Sequence, residues 1–139
     1  MTDYPITRVE QQGEAVARLV DFPCTVAYYA DERSVQSQLH HQFTLIVAER
    51  MAEGRRIPEP SAASGERLVL GQMDATKIAL YHLFLDSGMT RFELAKRMRI
   101  EAREVYRLFD LRQPVSVTRL ERAAAALGRR VVISLVEQK

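Results

Sequence analysis

The chain has 139 residues, of which 47% are hydrophobic and 27% charged, ordinary proportions for a soluble globular protein of one domain or two very small ones. No run of eighteen apolar residues exists, which excludes a spanning helix. The start Met1-Thr2-Asp3-Tyr4-Pro5 lacks the basic and apolar regions of a signal peptide. The net charge of +2 conceals an asymmetry: residues 1–65 carry 6 Lys+Arg against 9 Asp+Glu, and residues 66–139 carry 14 against 9. Phosphate neutralisation makes nucleic acid the obvious partner of the basic half. The lone Cys24 cannot form an internal disulfide, which fits a reducing cytoplasm, and burial as a small hydrophobe is its expected role.

Tyr4 to Glu10 alternates and is rich in strand formers, with Pro5 tolerated near the start, and Gln11-Gln12-Gly13 reads as a turn. Ala15 to Val20 is a second short strand. Asp21-Phe22-Pro23 breaks it, and Thr25 to Ala30 makes a third. From Ser34 the period becomes helical. Val35, Leu39, Phe43, Ile46 and Val47 form one stripe, with Ser34 as N-cap and Gly54 just past the end. Residues 1–54 thus form a β-β-β-α domain, an antiparallel sheet with one face covered by a helix. The Pro/Ser/Gly-rich residues 55–66 are expected to be an extended linker, and Arg67 to Leu70 one more short strand that completes this sheet or pairs with another subunit.

Residues 67–139 make the second domain, helical almost to the end. Asp74 can cap a helix to Asp86 that is apolar nearly all round, closed by Gly88. Thr90 and Glu93 then have capping-box spacing, with Met89 and Leu94 in the positions of a hydrophobic staple. That helix ends near Met98. A turn of Arg99-Ile100-Glu101 leads to another helix from about Ala102 to Phe109, with Val105, Leu108 and Phe109 inward. After a loop around Pro114, Ser116 starts a last helix that Gly128 ends, and Val131 to Val136 reads as a terminal β-strand.

Two helices joined by a three-residue turn, with small Ala95 at the crossing and Ile100 plugging the turn, have helix-turn-helix spacing. Arg103, Glu104, Tyr106 and Arg107 project outward from the second helix as candidate base contacts; Thr90, Arg91, Arg97, Arg99 and Arg112 are candidate phosphate contacts. From Met89 to Arg130 there are 11 basic residues against 5 acidic ones, which favours this over a merely solvated face. Arg99 stands where such turns usually carry Gly, so a left-handed residue or a reshaped turn is expected there, and Glu101 is a poor N-cap. Val131, Ile133 and Leu135 are candidate dimerisation residues, because an apolar strand closing a helical domain finds its partner most readily in a second subunit.

Tyr4-Pro5-Ile6-Thr7, Asp21-Phe22-Pro23, Ile57-Pro58-Glu59-Pro60-Ser61, Thr90 through Phe109, and Ala124-Ala125-Ala126-Leu127-Gly128 together resemble a HicB-type antitoxin, the variant with a C-terminal helix-turn-helix of the Xre class. The resemblance implies an α+β protein: an N-terminal domain like a degraded ribonuclease H that occludes a small HicA-type mRNA-cleaving toxin, and C-terminal domains that bind palindromic operator DNA as a homodimer or dimer of dimers, repressing their own operon in the cytoplasm. The alternative is a solitary helix-turn-helix transcriptional regulator whose N-terminal domain senses a ligand or only oligomerises. Ile6 to Val9 and Ala15 to Val20 contain no acid, so the carboxylates that a two-metal nuclease requires are missing and no enzyme is expected. His40 and His41 diverge on their helix and His82 reads as packed, so no metal or cofactor is expected either.

Overall fold

A computed structural model describes residues 3–137. Met1 and Thr2, part of the N-terminal stretch read above, and Gln138 and Lys139, within the expected second domain, lie outside the described residues. The chain divides between Gly71 and Gln72 into two compact units, the first α+β and the second all-α.

The first unit contains β1 (Tyr4–Gln11), β2 (Glu14–Leu19), β3 (Phe22–Tyr28), α1 (Val35–Ala52) and β4 (Arg67–Leu68). The sheet order is β3-β2-β1-β4, antiparallel at every pairing. Between Gln11 and Glu14 both turn residues have positive φ, 52° at Gln12 and 78° at Gly13, the combination whose twist matches a two-residue hairpin. The break between β2 and β3 is shorter than expected, since Phe22 already opens β3 opposite Leu19. The register slips between Ala17 and Leu19, and the buried Thr25 fills the irregularity: its hydroxyl accepts from Leu19 N at 2.9 Å and donates to Phe22 O at 2.7 Å. With Thr25 turned inward, Cys24 is exposed, which corrects the expectation that it is buried.

Ser34 caps α1, its hydroxyl accepting from Ser37 N at 3.0 Å, and Gly54 at φ 73° lets Arg55 N return to Arg50 O at 2.9 Å. Leu39, Phe43, Val47 and Met51 are fully buried, while Val35 and Ile46 are only half-buried. Tyr4, Phe22 and Phe43 form a three-ring cluster with centroids 5.1–5.4 Å apart. Burying a side chain of that size is worth about 1.5–3 kcal/mol.

Three glutamines of α1 finish the sheet. Gln42 pairs with both backbone groups of Val26 (2.9 and 2.7 Å), and Gln38 pairs with both of Tyr28 (2.9 and 3.0 Å) on edge strand β3. At the other edge Gln36 donates to Arg67 O at 2.8 Å and accepts from Val69 N at 3.3 Å. Gln36 and Gln38 lie about 200° apart around the helix, so the sheet must curl until its two edges meet opposite flanks of α1. Each carboxamide supplies one donor side and one acceptor, the pair that an edge residue presents.

The segment 55–66, expected as a linker, belongs to the first unit. Ile57 is buried in the core, the Tyr4 hydroxyl donates to Pro58 O at 2.6 Å, and the Ser61 N–H donates to the Asp21 carboxylate at 3.0 Å, as does the Ser61 hydroxyl. Burial, with Asp21 and Glu59 nearby, pushes the Tyr4 phenol above its ordinary value and keeps it a donor. These attachments fasten the strap across the sheet, and Ile6 N continues them by donating to Glu66 O at 2.9 Å. β4 then pairs Leu68 with Tyr4 and Arg67 with Pro5, completing the first sheet. The boundary between units therefore falls at 71/72, not across 55–66.

The second unit contains α2 (Gln72–Ser87), α3 (Arg91–Met98), α4 (Ala102–Leu108) and α5 (Val117–Ala126). Ile78, Leu80, Tyr81 and Phe84 of α2 are buried, and Phe109 packs between Tyr81 and Phe84 at 5.5 and 5.0 Å. The expected terminal β-strand is absent among the described residues: Val131 to Val136 has no strand partner, and Val132, Ile133, Leu135 and Val136 are exposed, Leu135 to 98%. A unit made only of helices offers no edge to take this segment's N–H and C=O groups.

Candidate nucleic-acid interface

The local sequence fixes the ends of α3 closely. Thr90 accepts from Glu93 N at 3.1 Å and Glu93 accepts from Thr90 N at 3.3 Å, a complete capping box. The C-terminal end closes through Arg99 in the left-handed region at φ 57°, ψ 47°. Ile100 N reaches back to Ala95 O at 3.0 Å and Arg99 N to Lys96 O at 3.2 Å, the paired bonds of a Schellman closure. Arg99 thus does what Gly would do, at the cost expected of a non-Gly residue there. Ala95 is buried under the crossing and Ile100 half-buried in the turn. Glu101 precedes α4 without a side-chain cap.

Lysine 77 sets the far end of α4. It is fully buried, and its ammonium donates to Arg107 O (3.1 Å), Asp110 O (2.7 Å) and Gln113 O. One side chain of α2 therefore gathers carbonyls at the C-terminal end of α4 and in the loop before α5. Burial lowers the Lys77 pKa, opposed by Asp110 and Asp74. Between α3 and α5 the helix ends are tied reciprocally: Arg122 donates to Met98 O, and Arg97 lies 3.5 Å from Ala126 O. The Lys77 clamp fastens α4 to α2, and the arginine ties fasten α3 to α5.

The candidate base contacts share the outer side of α4. Arg103, Tyr106 and Arg107 are exposed, while Val105 and Leu108 of the same helix are fully buried. Arg103 pairs with Glu101 at 2.8 Å, and Arg107 with Glu104 at 3.6 Å. Glu104 is half-buried and also takes Arg119 of α5 at 3.4 Å. The Arg91 guanidinium stacks over Tyr106, 4.9 Å from its centroid, and so joins the start of α3 to this face. Arg97 and Arg99 are exposed on α3 and its turn.

The structure does not gather every candidate phosphate contact equally. The Thr90 hydroxyl is occupied by its cap. Arg112 lies in the loop after α4, held by Asp110 at 2.9 and 3.0 Å. Burial raises the Asp110 carboxyl, but the hydrogen bonds from Arg112 outweigh it and leave the pKa below the usual value. Val131, Ile133 and Leu135 lie on the exposed C-terminal segment.

Lys77, Arg119 and Arg122 were not singled out from the sequence. A lone lysine on a helix apolar nearly all round is a usable signal for Lys77, because a buried ammonium must find acceptors. Arg119 and Arg122 carry none, since their partners come from distant segments. Exposed Phe92, 76% accessible on α3, was also missed. Among the described residues no three His, Cys, Asp or Glu side chains converge; His40 and His41 are exposed and His82 is half-buried.

No family model matches the chain. It is 31% identical over 83 residues to Antitoxin HicB 1 of Photorhabdus laumondii subsp. laumondii, covering 60% of this chain and 54% of that protein. It is 34% identical over 84 residues to Antitoxin HicB of Pseudomonas fluorescens and 30% over 80 residues to Antitoxin HicB of Escherichia coli K12, each alignment covering 58% of both chains. The chain thus spans a little over half the length of the curated relatives it matches, and over that span it is similar to proteins that carry the name HicB antitoxin.

Proposed function

We propose that this chain is a HicB-type antitoxin, without catalytic activity of its own, that binds and occludes a HicA-type mRNA-cleaving toxin and represses its own operon from a palindromic operator. In this reading the first unit, with its acidic balance, masks a basic RNA-binding toxin. The second unit is an Xre-class helix-turn-helix in which α4 enters the major groove. Arg103, Tyr106 and Arg107 face base edges, while Arg91, Arg97, Arg99 and Arg112 lie toward phosphates. Similarity to HicB antitoxins supports the toxin half.

The observation that carries the DNA half is the make-up of α4. Val105 and Leu108 on one side are fully buried and the C-terminal end is tied to α2 through Lys77, while the other side presents two arginines and a tyrosine to solvent. A rigid helix with that outer face is what base reading demands. Two-fold symmetry is supplied by Val131 to Val136, whose exposed apolar side chains and unpaired backbone fit the same segment of a second copy. Selection of duplexes from a randomised pool tests the DNA half. An enriched two-fold symmetric site supports it, and no enrichment contradicts it. Co-expression with a HicA-type toxin, taken from a neighbouring reading frame where one encodes such a protein, tests the other half: growth is restored if the chain is its antitoxin, and toxicity persists if it is not.

A further inference from the structure

Glu104 is an odd presence on a face otherwise suited to DNA. Its carboxylate points toward two arginines at once, Arg107 on its own helix at 3.6 Å and Arg119 on α5 at 3.4 Å. The two arms differ. Arg119 and Glu104 are both largely shielded, their side chains 28% and 29% exposed, whereas Arg107 is 60% exposed. A shielded pair between two helices holds its geometry, while an exposed i,i+3 pair is weak and opens readily. Arg119 therefore anchors Glu104, and Glu104 in turn offers Arg107 a fixed carboxylate at the edge of the face.

We infer that Glu104 is a positioning residue that sets DNA specificity through Arg107, and not a base contact itself. The inference rests on the DNA-binding reading above. Glu104 engages one amino group of Arg107, which leaves the remaining guanidinium donors to address the two acceptors of a guanine edge. The fixed carboxylate biases where the mobile guanidinium dwells without holding it fast, which trims part of the ordering cost of that contact. The same carboxylate neutralises one positive charge between Arg107 and Arg119. Without it, the two arginines would attract any phosphate backbone regardless of sequence. Glu104 thus favours the chosen site and disfavours all others, and both effects raise the ratio between them.

The test uses the full chain, the duplex that the wild type enriches from a randomised pool, and a scrambled duplex of equal length. Glu104→Gln keeps the side-chain shape and removes the charge. It should bind the scrambled duplex severalfold more tightly, with a salt slope steeper by about one contact. Its preference for the enriched duplex should fall by about tenfold, the scale of one well-made guanine contact. Glu104→Asp keeps the charge and should leave scrambled-duplex affinity at the wild-type level, an effect a merely structural role would not separate from the Gln variant. An unchanged preference ratio and salt slope in Glu104→Gln would overturn the role assigned to Glu104 alone. Failure of the wild type to enrich any duplex would remove the DNA-binding reading, and this role with it.

Discussion

The two units deal with unsatisfied surface in opposite ways. In the first, backbone groups at the sheet edges, at the register slip and along the 55–66 segment are answered from within. Three glutamine carboxamides of α1 occupy the backbone of both sheet edges, Thr25 fills the register slip, and the 55–66 strap is tied down by Tyr4 and Asp21. The second unit ends in an exposed apolar segment and carries arginines on one side of a short helix. Edges capped in this way discourage strand addition, so the toxin binding proposed for the first unit would work through side chains. An open apolar end and a cationic face instead suit a symmetric copy and a polyanion.

The sharpest way to break this contrast is to open the core of the closed unit. Phe43→Ala removes the ring shared with Tyr4 and Phe22 and should destabilise the first unit by about 3–5 kcal/mol. Calorimetry should then show the transition of the first unit moving down while that of the second unit stays in place. A common shift of the whole transition would mean that the units fold as one.

Removing the open end should separate assembly from reading. Deleting everything after Arg130, or replacing Ile133 by Asp, is expected to yield monomers by light scattering and a drop of about a hundredfold in affinity for a two-fold site, because only one half-site remains held. A truncated chain that stays dimeric would place the interface elsewhere. Within the reading helix the effects are smaller. Arg103→Ala and Arg107→Ala should each cost about 1–3 kcal/mol on the enriched duplex and much less on scrambled DNA, as measured by gel-shift titration. Equal losses on both duplexes would make them phosphate contacts only.

The smallest effect is one of pH. The Asp110 carboxyl is held below its ordinary value by Arg112, so its contribution is present above that ordinary value and is lost as pH falls through the lowered one. Asp110→Asn should therefore reduce the loss of stability of the second unit on acidification below about pH 4, seen by circular dichroism at constant salt. An unchanged acid limb would mean that the loop pair contributes nothing measurable.

Elements whose cause is local were legible in the sequence. Ser34 and Gly54 bracket α1, and Thr90 with Glu93 opens α3, because caps act within a few residues. The left-handed turn at Arg99 is one of the two outcomes that the absence of Gly there leaves open. What sequence concealed depends on distant partners. Proline and serine between 55 and 66 read as a linker, yet Ser61 meets Asp21 forty residues earlier and Ile57 enters the core. Gln36, Gln38 and Gln42 read as polar helix residues until the sheet curls to meet them. Val131 to Val136 has the composition of a strand, but composition supplies no partner. Of the face on α4, the exposed residues were readable from periodicity, whereas Glu104's tie to Arg119 and the Lys77 clamp were not, since both cross between helices.

Hydrogen exchange by mass spectrometry on the intact chain tests the central division most directly. With a HicA-type toxin added, slowed exchange is predicted within residues 3–71 and not in α3 or α4. With the enriched duplex added, it is predicted around residues 90–112 and not in the sheet. Protection of α4 by the toxin, or of the sheet by DNA, would contradict the assignment of one partner to each unit.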